Sequence, residues 1–165
     1  MLLFLSQKEA THQPKNNNSL TMKLTEASRL AQKLFYEHGI EDWRFKYSRS
    51  VRRFGVCVPR IKLIAISKPL VELNEEARVK NTLLHEIAHA LTPGHGHDRV
   101  WRSMAIAMGC DGRRCYDHTA VIRPEAPFIG TCGCPKPIKR HRRNNIMCMV
   151  CKQPFKFTRN KKAPR

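Results

Sequence analysis

The chain has 165 residues, enough for one domain with a small appendage, and 41% of them are hydrophobic. Its charge is strongly unbalanced, because 31 lysines and arginines face 13 acidic residues and give a formal net charge of +18. Such an excess favours a polyanionic partner, in the simplest case a nucleic acid. No apolar run reaches the roughly 20 residues of a membrane-spanning helix, so we predict no membrane partner.

The cysteine content and the N-terminal residues indicate the cellular compartment of the protein. The apolar run at 1–5 is too short for the core of a signal peptide, and no basic residue precedes it. Seven cysteines without a secretion signal favour a reducing setting, where clustered cysteines bind metal more often than they form disulfides. We therefore expect a cytoplasmic protein, located at a bacterial nucleoid or in the cytoplasm of a phage-infected host. The oligomeric state is not readable from the sequence.

Hydrophobic periodicity predicts a succession of short elements after an aperiodic, flexible leader at 1–20. We expect helices over 25–38, 74–91 and 98–108, and strands over 43–48, 54–58 and 61–67. Asn74 is the expected N-cap of the second helix, because two glutamates follow it in the positive first turn. The absence of acidic residues after Glu125 indicates a separate basic module at the C-terminal end.

The second predicted helix carries His85, Glu86 and His89. Residues four apart lie on one face of a helix, about 5–6 Å apart at Cβ, so the two imidazoles can hold one zinc ion. Glu86 lies next to the first ligand, where a carboxylate can act as general base toward a water molecule. Two ordinary half-buried histidines are the simpler interpretation, but four histidines and a glutamate within 13 residues disfavour it.

A catalytic zinc site needs a third protein ligand and an open position. His95 and His97 follow the helix in a glycine-rich turn, and either could fold back onto it. The histidine that is not a ligand could support a ligand or donate to a developing oxyanion.

The segment 82–90, followed by Gly96-His97 and by Trp101, resembles the SprT-like metalloprotease domain. That family includes the Spartan-type proteases, which degrade proteins crosslinked to DNA. The resemblance covers about residues 22–155. It implies an α+β fold, in which a small, mostly antiparallel sheet packs on the active-site helix and a zinc ribbon follows.

The resemblance also favours one third ligand. In the family this ligand is a histidine followed four residues later by an aromatic residue, a spacing that His97 and Trp101 match. His95 has Arg99 at the same offset, so it remains the alternative ligand. Asp98 stands where the family often has a glycine, which is a departure in the turn itself.

Four cysteines predict a second zinc site. Cys132 and Cys134 are separated by 13 residues from the pair Cys148 and Cys151, and four thiolates suit a closed, tetrahedral structural zinc. Redox cysteines, or His141 in place of one thiolate, are the alternatives. Bacterial SprT-like proteins resemble this arrangement of C-x-C, a basic stretch and C-x-x-C. The three other cysteines, at 57, 110 and 115, are expected to be buried or idle thiols.

Basic residues around these cysteines form the candidate nucleic-acid interface, with two phenylalanines, Phe155 and Phe157, that could stack on bases. The candidate contacts are Lys139, Arg140, Arg142, Arg143, Lys156 and Arg159. A solvated basic tail is the simpler alternative.

Together these patterns predict a zinc metallopeptidase domain at 21–127, a zinc ribbon at 128–157 and a basic tail at 158–165. One zinc would be catalytic and one structural, and the substrate would be a protein bound or crosslinked to DNA. The main alternative is a non-catalytic, zinc-containing nucleic-acid-binding protein. A zinc hydrolase acting on another bond, such as an amidase, is a further alternative.

Overall fold

The computed structural model describes residues 21–115 and 121–163, so the predicted leader at 1–20 lies outside the described residues. The helices are α1 (Leu24–Glu37), α2 (Lys68–Val71), α3 (Glu76–Leu91) and α4 (Arg99–Ala107). The strands are β1 (Arg44–Ser48), β2 (Gly55–Val58), β3 (Leu63–Ser67), β4 (Phe128–Thr131), β5 (Ile138–Arg140) and β6 (Lys156–Arg159). The α+β class is confirmed. None of the helices among these residues is long and apolar enough to cross a membrane.

The first sheet has the order β1-β3-β2. β2 is antiparallel to β3, as expected, but β1 runs parallel to β3, so the sheet is mixed rather than antiparallel. The apolar content of the strands explains this order. From Ile64 to Ser67 every residue of β3 is buried, as the central strand requires, whereas the side chains of β2 are only half-buried. β2 therefore lies at the edge of the sheet, next to α3.

One hydrophobic core joins α1, the first sheet, α3 and α4. Val79, Leu83 and Ile87 form a fully buried stripe on α3, spaced one helical turn apart. From α4, Trp101 and Ala105 enter the same core. This packing leaves a different side of α3 half-buried, and that side carries His85 and His89.

The predicted N-cap of α3 is wrong by one residue, because Glu75 occupies that position and Asn74 has another role. Asn74 is 3% exposed. Its Nδ2 donates to the carbonyls of Leu70 at 2.7 Å and of Ile122 at 2.8 Å, and its Oδ1 accepts from the Ile122 N–H at 2.9 Å. Asn74 thus fastens a distant segment to the end of α2 instead of capping α3.

The C-terminal module is a second sheet of order β5-β4-β6, in which both pairs are antiparallel. Cys132 and Cys134 follow β4, and Cys148 and Cys151 lie in the loop before β6. The predicted boundary between ribbon and tail at 157/158 falls inside β6, so the strand includes the first residues assigned to the tail.

Replacing Asn74 with alanine should destabilise the protein by about 2–4 kcal/mol, because the buried carbonyl of Leu70 and the N–H and C=O of Ile122 lose their partner. The measurement is the free energy of unfolding in urea, with the exposed Asn145→Ala as the control. Equal stability of the two variants would contradict the role assigned to Asn74.

Candidate metal centre and cleft

Three histidines converge at the end of α3. His85 and His89 lie one turn apart on the helix, and His97 reaches them from the turn before α4. The Nε2 atom of His97 lies 3.1 Å from that of His85 and 3.1 Å from that of His89. Two nitrogens bound tetrahedrally at the usual Zn–N distance are separated by about 3.3 Å.

The donor chemistry of this trio fits a zinc ion. All three ligand atoms lie within 4.8 Å of one another. An imidazole nitrogen carries at most one proton, so three Nε2 atoms around one point cannot all be paired by hydrogen bonds. A cation among them satisfies the three lone pairs and leaves a fourth tetrahedral position open, as in catalytic zinc sites.

His95 does not belong to this group. Its Nδ1 lies 2.8 Å from Oδ2 of Asp98, and both side chains are exposed. Asp98 also caps α4, because its Oδ1 accepts from the Trp101 N–H at 3.0 Å. The residue that departs from the family's usual glycine therefore starts α4 and holds His95 away from the trio.

The indole ring of Trp101 packs against the rings of all three histidines. Its side chain is fully buried, and its ring centroid lies 4.7, 5.1 and 4.5 Å from those of His85, His89 and His97. Within the described residues its Nε1 has no hydrogen-bond partner. Trp101, four residues after His97, thus forms the buried side of the histidine site.

Burial lowers the pKa values of all three histidines. Burial, then the neighbouring His89 and His97, lower the pKa of His85 to about 4. Burial also lowers the pKa of His89 and of His97, and the Arg114 cation lowers that of His97 further. These shifts favour the neutral imidazole, which is the form that binds metal.

Glu86 is the buried carboxylate of the site, with 7% of its surface exposed. Burial raises its pKa to about 7, against the opposing effects of a hydrogen bond from the Cys57 N–H and of the Arg53 cation. The thiol of Cys57 lies in the same surroundings. Burial and then Glu86 raise the pKa of that thiol to about 12, so it stays neutral.

A cavity of about 500 Å³ opens in front of the trio. Its walls are β2 with the residues before it, the exposed side of α3, the turn at 94–97 and the segment at 111–115. Arg53 and Arg114 lie on these walls, and no motif or spacing in the sequence marked them. Gly55 was also missed as a site residue. Its position inside the predicted strand at 54–58, where glycine is disfavoured, was the available signal.

The four cysteines of the C-terminal module also come together, with all Sγ atoms within 4.8 Å of one another. The Cys134 and Cys148 sulfurs are 3.8 Å apart, and tetrahedral Zn–S geometry gives about 3.8 Å. Backbone N–H groups of Cys151 and Val150 lower the pKa of Cys148 to about 6, whereas the Cys151 and Cys148 side chains raise that of Cys134. His141 does not belong to this group, and four sulfurs form a closed donor set for zinc.

The predicted basic contacts lie on both faces of the second sheet and in the loop after β5. Arg140 and Arg159 flank Phe128 in register, so all three share one face, and the Arg143 guanidinium lies 5.1 Å from the Phe128 ring centroid. Phe157, paired with Gly130, belongs to the same face. Lys139 lies on the other face, 2.9 Å from Glu125. Lys156 is exposed on β6, and Arg142 is exposed in the loop after β5.

Comparison with protein families identifies the family of this chain. The model of the SprT-like family matches residues 24–120, which is more than half of the chain. The match contains α3 and all three histidines, whereas the four-cysteine module lies beyond it. No curated protein sequence matches the chain significantly.

Replacing His97 with alanine should remove the zinc bound at the trio, because two imidazoles alone hold zinc weakly. Replacing His95 with alanine should leave it in place, since His95 lies outside the group. The measurement is zinc per protein by elemental analysis after dialysis, with two equivalents expected for the unaltered chain. Loss of zinc in His95→Ala with retention in His97→Ala would reverse the assignment.

Proposed function

Because the chain belongs to the SprT-like family, whose domain is of the zinc metallopeptidase type, we propose that it is a zinc-dependent metallopeptidase with Glu86 as general base. One observation carries the proposal. A buried carboxylate lies beside three convergent imidazoles at the wall of a cavity. A structural metal site gains nothing from such a carboxylate, because its burial opposes folding.

The residues divide the chemistry among them. His85, His89 and His97 would hold the zinc ion, which supplies a Lewis acid that polarises the peptide carbonyl and acidifies water. Glu86 takes the proton of the attacking water and passes it to the leaving amide nitrogen. Its pKa of about 7 suits both transfers, since a group near the operating pH can accept and return a proton.

We further propose that the substrate is a protein bound or crosslinked to DNA. The support is electrostatic: Arg140, Arg159 and Arg143 surround Phe128 on one face, a combination that suits phosphates and unstacked bases. Cations also line the cavity itself, because Arg52, Arg53, Arg113 and Arg114 lie on its walls.

Replacing Glu86 with glutamine should lower hydrolysis by at least about 100-fold and leave both zinc equivalents bound, because the amide cannot accept the proton. The assay is cleavage of a basic DNA-binding protein, with and without single-stranded DNA. Glu76→Gln, which makes the same change at an exposed position of α3, is the matched control. Hydrolysis that survives Glu86→Gln would refute the mechanism and favour the non-catalytic alternative.

Removing Arg140 and Arg143 together should weaken binding to single-stranded DNA. It should also reduce the slope of log affinity against log salt by about 1.4, since each single-strand phosphate contact contributes ~0.7. Fluorescence anisotropy of a labelled oligonucleotide across a salt series gives both quantities. The control removes the same charge at Arg29 and Lys80, which are exposed on α1 and α3. Equal losses in both double variants would show attraction by overall charge and not by this face.

A further inference from the structure

The backbone of β2 touches the Glu86 carboxylate at Gly55. A Cβ atom at this position would lie 2.7 Å from Cγ and 2.8 Å from Cδ of Glu86, and still closer to Oε1. Real Cβ atoms essentially never come within 3.0 Å of another heavy atom, so any residue other than glycine must displace Glu86 or β2. Gly55 has no left-handed φ, so the requirement is for space and not for backbone conformation.

The same strand turns a backbone N–H away from the sheet beside the carboxylate. Along an antiparallel strand, the backbone groups of successive residues alternate between bonding to the neighbouring strand and facing away from it. The carbonyl of Phe54 accepts from the Ser67 N–H of β3, so the backbone groups of Gly55 and Cys57 face away from β3. The Cys57 N–H lowers the pKa of Glu86, against the larger effect of burial. Two residues of β2 thus act on one carboxylate: Gly55 leaves room for it, and the Cys57 N–H favours its charged form.

We propose that Gly55 and the Cys57 N–H form a backbone cradle that positions the Glu86 carboxylate for proton transfer. The proposal rests on the role of Glu86 as general base proposed above. Gly55 is then a positioning residue, because it acts through Glu86 and not on the substrate. β2 serves the site by bringing its backbone against the carboxylate, which a side chain at 55 would prevent.

A side chain at position 55 would have to displace the Glu86 carboxylate, because the backbone of Glu86 is fixed in α3. α3 is held by its buried stripe, so its backbone cannot retreat from β2. A methyl group at 55 must therefore rotate the carboxylate away from the Cys57 N–H. The three histidines are held by α3, by the turn before α4 and by the Trp101 ring, so they should keep their arrangement. Metal binding and proton transfer should consequently respond differently to a change at 55.

The first test is Gly55→Ala, compared with Ser103→Thr. Ser103 is exposed on α4, so this variant adds one methyl group on the solvent side of a helix. We expect Gly55→Ala to lower kcat/KM by about 100-fold with both zinc equivalents retained, and Ser103→Thr to stay within about threefold of the unaltered protein. Wild-type kcat/KM in Gly55→Ala would overturn the proposal.

The second test is a double-variant cycle. Glu86→Asp shortens the side chain by one methylene and withdraws its carboxylate from position 55. Adding Gly55→Ala to Glu86→Asp should therefore lower kcat/KM by less than about threefold. In urea unfolding, Gly55→Ala should lower the midpoint in the wild-type background and leave it nearly unchanged in a Glu86→Ala background. Equal shifts in both backgrounds would overturn the cradle.

The two proposals fail in different ways. The unfolding cycle reads the contact between Gly55 and Glu86 without any catalytic assay. Hydrolysis that is independent of Glu86 would overturn the proposed function and the catalytic role of the cradle together. Additive unfolding midpoints in a protein whose hydrolysis depends on Glu86 would overturn the cradle alone.

Discussion

The packing of α3 between the sheet and α4 is the constraint on which the site depends. The buried stripe of Val79, Leu83 and Ile87 fixes the rotation of the helix about its own axis. With that rotation set, the helical period directs His85 and His89 into the cavity and Glu86 toward β2. A small rotation of α3 would move the imidazoles and the carboxylate together. The hydrophobic core thus determines the geometry of a site that contains few apolar groups.

Local sequence patterns predicted the parts of the site that depend on spacing along one helix or one turn. The offset of four that joins His85 to His89 needs only helical geometry, and α3 provides it. The third ligand was different, because the residues alone left His95 and His97 open and only the resemblance to the SprT-like family favoured His97 through its offset of four to Trp101. The structure gives this offset a physical basis: His97 lies just before the N-cap of α4, and Trp101 lies in the first turn, so the indole ring packs against the imidazole.

What escaped the sequence depends on contacts between distant segments. The parallel pairing of β1 with β3 joins strands that are separated by β2 along the chain, and no local pattern predicted its direction. Asparagine is a favoured N-cap residue, yet the hydrogen bonds of Asn74 to Ile122, which lies 48 residues later, outweigh that local preference. Gly55 is another such case, because the atom that excludes its side chain belongs to a helix about 30 residues later in the chain. Propensity cannot report a neighbour that only the fold brings close.

The two candidate metal sites differ in donor number, and this difference assigns their roles. Four cysteine sulfurs fill a tetrahedral set, so an ion there has no position for a reacting group and can only hold β4 to the loop before β6. Three imidazoles leave one position free, and that position faces a cavity whose wall carries a buried carboxylate. The same ion would therefore be structural in one half of the chain and reactive in the other. The presence of a fourth protein ligand distinguishes the structural site from the reactive one.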